Sequence, residues 1–556
     1  MPQRINQIMI LCLVAFVYLT GRMGYYQLIQ GPELAQRAAV MRSREIELRE
    51  YPRGNILDRN HLPLTNVRIS SAAYLWTDTF ADQSRNHASQ SIQQLAEIIG
   101  MSSYELKRQL AGAKQKGDSF ILLRDNLTAK EISAWQEADL PGLVVAPLLH
   151  RYRLDGFCVH LLGYVDKSLE GRGMVGIEKH YDSLLAAGDS GQEMLSIVDG
   201  RGQVIAGLHK VKKKEKLSGS VVLTIDRRIQ EIVENTVNCY IDKGAVVVMD
   251  IESRDIVAMA SRPAFNPYEI KQALSSPGQP LLNRALTPYH PGSLFKIVVS
   301  IAALEEHICT PGDKYHCEGE YTLGEKLSVA CMKKEGHGNL TMEEAFACSC
   351  NPCFIQIALD LGQHRLMKWV DTLHLTDPTI TGLPGYSKNS YVCFEGGAAA
   401  LANVCLGQQG VMLTPVQIAS LFSTVADDGQ WVAPRIVAST IDQQGVSKQA
   451  EFEPKQRVMQ AETAAILQRL LRKVVAEGTG QAAAIQETAV AGKTATAQTG
   501  RYKGEKEILN TWFAGYLPAD KPRWVIVVLV EEGESGAQNS APVFRDIARQ
   551  MVKYSM

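Results

Sequence analysis

Residues 293–296 read Ser-Leu-Phe-Lys, a serine and a lysine three positions apart. A serine hydroxyl is a poor nucleophile at neutral pH and needs a neighbouring base or cation. On a helix this spacing puts both side chains on one face, within reach of each other. Pro291-Gly292 reads as a loop-to-helix entry, so Ser293 stands at a helix N-terminus. There the macrodipole favours developing negative charge. The run Ile297 to Leu304 is too apolar for a surface helix, which predicts a buried, rigid mount for the serine. Taken by itself, the tetrad also fits an ordinary helix start.

Two further motifs follow in order, Ser349-Cys350-Asn351 and Lys493-Thr494-Ala495. The three together match the Ser-x-x-Lys, Ser-x-Asn and Lys-Thr-Gly set of penicillin-recognising serine enzymes, with Ala495 where glycine is usual. Other pieces stand in the same order. Arg53-Gly54-Asn55-Ile56-Leu57-Asp58-Arg59-Asn60, Gly176-Ile177-Glu178-Lys179, Thr224-Ile225-Asp226 with Gln230, and Asn283-Arg284 precede the tetrad. Gly407-Gln408, Gly410 and Thr414-Pro415 with Gln417 lie between the second and third motifs. Over nearly its whole length the chain resembles a class B penicillin-binding protein, a membrane-anchored, monofunctional peptidoglycan D,D-transpeptidase.

That resemblance implies a site and a reaction. Ser293 attacks the penultimate carbonyl of a stem peptide ending in D-Ala-D-Ala. Lys296 takes or holds its proton, and Ser349 relays a proton to the leaving D-Ala. Asn351 binds the donor's backbone, while Lys493, Thr494 and Thr496 suit its terminal carboxylate. Backbone N–H groups of Ser293 and Thr496 form the oxyanion hole. Strand alternation points Lys493 and Thr494 to opposite faces, so both reach substrate only if an edge of their strand borders the cleft. β-Lactams acylate Ser293, and no metal or cofactor is needed. The extra methyl of Ala495 either narrows the cleft or points away harmlessly. The competing functions are a carboxypeptidase or β-lactamase-like hydrolase, in which water resolves the acyl-enzyme, and a non-catalytic penicillin-binding scaffold.

Placing these residues requires an α/β fold. Gly244 to Asp250 and Asp255 to Ser261 read as a hairpin, and Thr488 to Ala497, Thr511 to Leu517 and Trp524 to Glu531 as three further strands. Ala541 to Tyr554 reads as a closing helix. The expectation is one five-stranded antiparallel sheet covered by helices. Ahead of it, Ser43 to Arg49 reads as a strand, and Ser91 to Ile99 and Ser103 to Ala113 as amphipathic helices. The resemblance makes this region an elongated pedestal or dimerisation module. Lys210 to Ser220, rich in lysine, serine and glycine, reads as a linker. Nothing in residues 25–215 resembles a glycosyltransferase motif, which fits a monofunctional enzyme.

Ile8 to Leu19 is uninterrupted apolar sequence within a span from Ile5 to Gly24, long enough to cross a bilayer core. No small-x-small cleavage site follows, so it reads as an uncleaved signal anchor, with Arg22 snorkelling and Tyr25-Tyr26 at the interface. The expected organisation is a cytoplasmic tail at 1–4, the transmembrane anchor at 5–24, the pedestal at 25–215 and the transpeptidase domain at 220–556. The resemblance places the catalytic domain outside the cytoplasm and implies a membrane glycosyltransferase partner. The composition, 46% hydrophobic and 21% charged over 556 residues with a net charge of −1, gives no reason to invoke nucleic acid.

Eleven cysteines are many for an exported enzyme, and in an oxidising compartment some should pair. Cys317 and Cys331 flank an expected hairpin, Glu318 to Ser328, and Cys348, Cys350 and Cys353 cluster at the second motif. Zinc bound among these cysteines, His316 and His337 is the competing reading, but the spacings match no common finger. Cys350 stands between two expected site residues, either as a buried filler or as an oxidisable gate. Some sporulation-specific members of the family are redox-controlled at a cysteine in this motif, which tilts the expected role towards sporulation.

Overall fold

The computed structural model describes the whole chain except residues 1, 32, 35–42, 48–49, 52, 78–87, 117–119, 138–141, 167–170, 187–191, 199–203, 214–217, 324–326, 378, 384–389, 394–395 and 556. The chain groups into two compact units. The first comprises residues 1–52, 66–151 and 189–216, and the second 53–65, 152–188 and 217–556. Segments 53–65 and 152–188, within the span expected for the pedestal, thus fold with the unit that carries the serine.

In the first unit a helix covers Pro2–Gly24 and continues as a π-helical turn, Tyr25–Ile29. Arg4–Ile29 is long and apolar enough to cross a membrane, and an 18-residue window within it has a mean hydropathy of 1.7. The Arg22 guanidinium sits 5.0 Å from the Tyr26 ring centre and donates to its hydroxyl at 3.1 Å, fixing a charged and aromatic end to the apolar stretch. Further on, strand Arg68–Trp76 is flanked antiparallel by Phe120–Arg124 and Leu143–His150. Ala73 and Leu75 bury one of its faces against Leu95, Ile99, Leu106 and Trp135 from helices 88–99, 103–116 and 129–137.

Strands Ser43–Glu47, Gln192–Val198 and Val204–Lys213 form a second three-stranded sheet. This corrects the first residues of the expected linker, Lys210 to Lys213, while the boundary between the two units, at 216/217, falls inside the expected range Lys210 to Ser220. Lys210 to Lys213 pair with Leu195 to Gln192, so their backbone groups find partners in a ladder instead of in water. The branched residues Val204, Ile205 and Val211 favour that extended state. The basic run was misleading because its side chains say nothing about backbone pairing. Residues 214–217 of the expected linker, 48–49 of the expected first strand and 324–326 of the expected hairpin lie outside the described residues.

The second unit is built on strands β1 (Gly244–Asp250), β2 (Ile256–Arg262), β3 (Ala491–Lys503), β4 (Lys506–Leu517) and β5 (Trp524–Gly533). Their order is β2-β1-β5-β4-β3, every neighbour antiparallel. β1 and β5 are continuous apolar runs because both sheet faces are covered. Ala245, Val247 and Met249 enter one core, with residues of helices α2 (Lys296–Glu305), α4 (Asn351–Leu361), α5 (Pro415–Ala426) and α6 (Ala461–Ala476). Val246 and Val248 point the other way, against α1 (Arg227–Tyr240) and α7 (Ala541–Ser555). The short α3 (Met342–Ala347) precedes α4. β3 is an edge strand, paired in the sheet with β4 alone.

The early motif Arg53 to Asn60 has a structural reason in this unit. Arg53 is fully buried and holds Glu178 (Nη2 to Oε2 3.1 Å), Asp182 (2.8 Å) and the carbonyl of Gly171 (2.8 Å). Tyr152 donates to the other Glu178 oxygen at 2.8 Å. A Cβ on Gly54 would lie 1.6 Å from the Gly219 carbonyl oxygen, so only glycine fits. Asp58 closes the next turn by accepting from Asn60 and Leu62, both at 2.8 Å. Removing one member of a buried ion pair strands its partner. Arg53→Ala should therefore cost about 3–5 kcal/mol of unfolding free energy in the detergent-solubilised chain. A loss below about 1 kcal/mol in denaturant titration would contradict the role given to this ion pair.

Candidate active site

Pro291 leads into a single 3₁₀ turn, Gly292–Phe295, and α2 starts at Lys296. Every residue from Lys296 to Leu304 is buried, so the turn is mounted on a core helix, as its apolar sequence predicted. Gly292 has φ +56° and is crowded. Its N–H donates to the Gly407 carbonyl at 2.9 Å, and a Cβ on Gly407 would lie 2.1 Å from the Gly292 oxygen. The close approach of these two glycines fixes the turn carrying Ser293. Ser293 is half-buried, and its hydroxyl has no hydrogen-bond partner among the described residues.

The second motif enters from the end of α3. A capping box between Thr341 and Glu344 starts that helix. Cys350 N–H donates back to the Ala345 carbonyl at 2.9 Å, and Ser349 takes a left-handed φ of +59°. A helix commonly ends this way, but usually on glycine. A serine there costs on the order of 1–3 kcal/mol, strain that collects where function fixes the backbone. Asn351 then opens α4, with Pro352 in its first turn.

Lys296 joins the two motifs. Its ammonium donates to the Ser349 carbonyl at 2.7 Å, the Ser349 hydroxyl at 3.2 Å and Asn351 Oδ1 at 2.9 Å. Asn351 is held from its other side by donating to the Ala330 carbonyl at 3.0 Å. Lys493 is also fully buried and donates to the Thr494 carbonyl at 3.3 Å. The two cations lie over a pair of phenyl rings, Lys296 5.3 Å from Phe354 and Lys493 5.9 Å from Phe346. Burial lowers the Lys296 ammonium to about 8. Burial, and then the charge of Lys296, pushes Lys493 well below the usual lysine range.

Lys493, Thr494 and Thr496 lie on β3, whose outer edge has no strand beyond it in the sheet. β3 is thus an edge strand, the placement from which residues of both its faces could serve one ligand. Thr494 shares a 2.6 Å hydrogen bond with Thr479, and Thr496 accepts from Gly536 N–H at 3.3 Å. Both hydroxyls are thus held in place by neighbours that no motif marks. Thr479 and Gly536 carry no motif and arrive through the fold, after α6 and after β5.

Ala495 is buried, and its methyl faces Gly292, where an added Cβ would meet it at 3.3 Å. It therefore packs behind the turn that carries Ser293. One buried methyl is worth about 0.8 kcal/mol, roughly a fourfold rate effect. Ala495→Gly should change the β-lactam acylation rate by no more than about that factor. A tenfold change in either direction, read from adduct formation against time, would show that the methyl shapes the cleft.

All eleven cysteines carry free thiols, in place of the pairs expected. Cys331 and Cys350 come nearest to one, with sulfurs 4.0 Å apart. The expected hairpin is present as Glu320–Leu323 paired with Leu327–Ala330, and Lys314–Cys317 pairs with Gly338–Thr341 beside it. His316 turns to Asn339 at 2.7 Å, whereas His337 turns to the cysteines.

The sequence has clear relatives. Residues 244–549 match the family described as penicillin binding protein transpeptidase domain, and residues 49–223 the penicillin-binding protein dimerisation domain. Stage V sporulation protein D of Bacillus subtilis is 29% identical, over 98% of this chain and 85% of its own. Peptidoglycan D,D-transpeptidase FtsI of Escherichia coli is 25% identical, over 96% and 88% respectively. Among solved structures, the D,D-transpeptidase domain of a peptidoglycan glycosyltransferase from Eggerthella lenta aligns with a TM-score of 0.60 at 26% identity, covering 74% of this chain and 93% of that one.

Proposed function

The chain belongs to the class B penicillin-binding proteins, and from that membership we propose that it is a serine D,D-transpeptidase that cross-links peptidoglycan stem peptides through an acyl-enzyme on Ser293. The observation that carries the assignment of roles is the buried Lys296 ammonium, bonded to both Ser349 and Asn351 one turn after Ser293.

The chemistry follows from that geometry. Lys296, with its pKa drawn down to about 8, is neutral in a useful fraction of molecules near neutral pH. The neutral amine takes the Ser293 proton as the hydroxyl oxygen bonds to the penultimate D-Ala carbonyl carbon. The N–H groups of Ser293 and Thr496 stabilise the oxyanion, each worth about 3–4 kcal/mol in the transition state. Ser349, already in reach of Lys296, hands the proton to the departing D-Ala nitrogen as the peptide bond breaks. Thr494 and Thr496 hydrogen-bond the donor's terminal carboxylate, whose charge favours the protonated form of Lys493 behind them. Asn351 holds Lys296 in place and turns its amide to the donor backbone. An amine of a second stem peptide then attacks the ester carbonyl, so the cross-link forms as Ser293 is released. A β-lactam enters the same path at the acylation step, and its ring-opened ester stays on Ser293.

The N-terminal apolar helix is the membrane anchor in this reading, with the catalytic unit outside the cytoplasm and a membrane glycosyltransferase supplying glycan strands. Neither alternative, hydrolase or scaffold, is favoured by the family to which the chain belongs.

The test is the time course of benzylpenicillin addition, followed by mass spectrometry of the intact chain and its peptides at several pH values. The adduct should map to Ser293. The rate should rise with pH and level off above about 8, because the reactive form of Lys296 is the deprotonated one. An adduct on another residue, or a rate that does not change across this range, would overturn the assignment of roles.

A further inference from the structure

Four side chains that the acyl-transfer chemistry does not use converge beside the second motif. The Sγ atoms of Cys317, Cys331 and Cys350 and a ring nitrogen of His337 all lie within 4.8 Å of one another. His337 Nδ1 is 3.6 Å from Cys317 Sγ and 3.5 Å from Cys331 Sγ, and the Cys331 and Cys350 sulfurs are 4.0 Å apart. These separations have a chemical meaning. Zinc–sulfur bonds of about 2.3 Å and a zinc–nitrogen bond of about 2.0–2.1 Å, set at tetrahedral angles, give S···S edges of roughly 3.8 Å and S···N edges of roughly 3.5 Å. A disulfide would need its sulfurs at about 2.05 Å. The three thiols are buried, and His337 is partly so.

The backbone around the cluster is built closely. Cys317 ends one strand, Cys331 follows another, and His337 directly precedes the return strand Gly338–Thr341. Cys331 N–H donates to the Gly319 carbonyl at 2.7 Å. A Cβ on Gly319 would lie 2.0 Å from the Lys334 oxygen, and one on Gly336 2.3 Å from the Cys317 oxygen. Two loops can interlock this tightly only with glycine at both crossings. The fourth ligand comes from the turn between Ser349 and Asn351.

We propose that Cys317, Cys331, His337 and Cys350 bind one zinc ion, which fastens the β-structure of residues 314–341 to the turn carrying Ser349 and Asn351. Three thiolates and one imidazole make a closed, four-ligand set of the structural kind, and thiolate-rich tetrahedral sites select zinc over magnesium or calcium. Binding releases three thiol protons to solvent and leaves the centre with a net charge of −1. The ion takes no part in bond making or breaking. Cys350 lies between Ser349 and Asn351 in sequence, and Cys331 follows Ala330, whose carbonyl holds the Asn351 amide at 3.0 Å. The left-handed turn at Ser349 is thereby clamped from both ends.

The test uses the full chain in detergent, purified under reducing conditions without chelator. Elemental analysis should find about one zinc per chain. Replacement by cobalt should give the intense visible bands and thiolate charge transfer of a tetrahedral centre. His337→Ala and Cys317→Ser, both remote from the acyl-transfer residues in sequence, should each lower metal content by at least about tenfold. Chelation should slow β-lactam acylation, and added zinc should restore it. Zinc content and the cobalt spectrum read the metal directly, so these two results are independent of the proposed reaction. A chain without zinc after zinc exposure, an octahedral cobalt spectrum, or a Cys331–Cys350 disulfide found by peptide mapping would overturn the proposal. The cobalt spectrum needs only the unaltered chain, so a variant that fails to fold does not remove the test.

Discussion

Ser293→Ala should abolish covalent labelling by a fluorescent penicillin, with the acylation rate falling by on the order of 10⁴ or more, as is usual when a serine nucleophile is removed. The substitution should leave the fold unchanged. Ser293 is half-buried in a 3₁₀ turn whose shape is set by the contact of Gly292 with Gly407, and its hydroxyl holds no partner among the described residues. No buried hydrogen bond is lost, so the melting temperature should stay within about 2 °C, as for a substitution worth less than 0.5 kcal/mol. Labelling that survives in the Ala variant would mean that the acylated residue is not Ser293.

The second large effect is at Lys296. Lys296→Ala should slow acylation by about 10²–10⁴-fold, the usual contribution of a positioned general base. It removes the only group that the structure bonds to both Ser349 and Asn351 among the described residues. Stability should change much less than activity. The Ser349 and Asn351 oxygens lose a donor, at about 1–3 kcal/mol for a stranded buried acceptor. Against this, the cost of burying the ammonium disappears. Stopped-flow acylation and thermal unfolding of the same preparation separate the two. A rate within tenfold of the unaltered chain would show that the proton goes elsewhere.

The part of this site most legible in the sequence is its mount: the apolar run Ile297 to Leu304 after Ser293 and Lys296 predicts a buried helix, and every residue from Lys296 to Leu304 is buried. The strands β1 and β5 were legible because burial on both faces leaves uninterrupted apolar runs. Thr494 and Thr496 were legible as residues, but their use of a sheet edge was not. Edge position depends on strand order, which brings residues 491–503 beside 506–517 and leaves them without a second strand partner in the sheet.

The cysteine and histidine cluster shows the opposite case. His337 and the three cysteines sit in an irregular spacing, and the sequence disfavoured zinc because no common finger has it. The fold makes spacing irrelevant: two paired strands and a helix-ending turn deliver the ligands from three local structures. His316 was drawn into the expected set by proximity in sequence, yet it alternates away on its strand to Asn339. Likewise the strand at Lys210 to Lys213 is hidden by a lysine-rich composition that resembles a linker, because strand pairing is decided by the partner strand at 192–198.

The most direct test of the central claim is product analysis after the detergent-solubilised chain is supplied with uncross-linked peptidoglycan strands bearing D-Ala-D-Ala stems. A transpeptidase acting through Ser293 should yield cross-linked muropeptide dimers and one D-Ala per cross-link, with both products absent for Ser293→Ala. D-Ala released without dimers would make the protein a carboxypeptidase. Strands unchanged by an enzyme that still binds penicillin would leave it a scaffold, and either result would contradict the account.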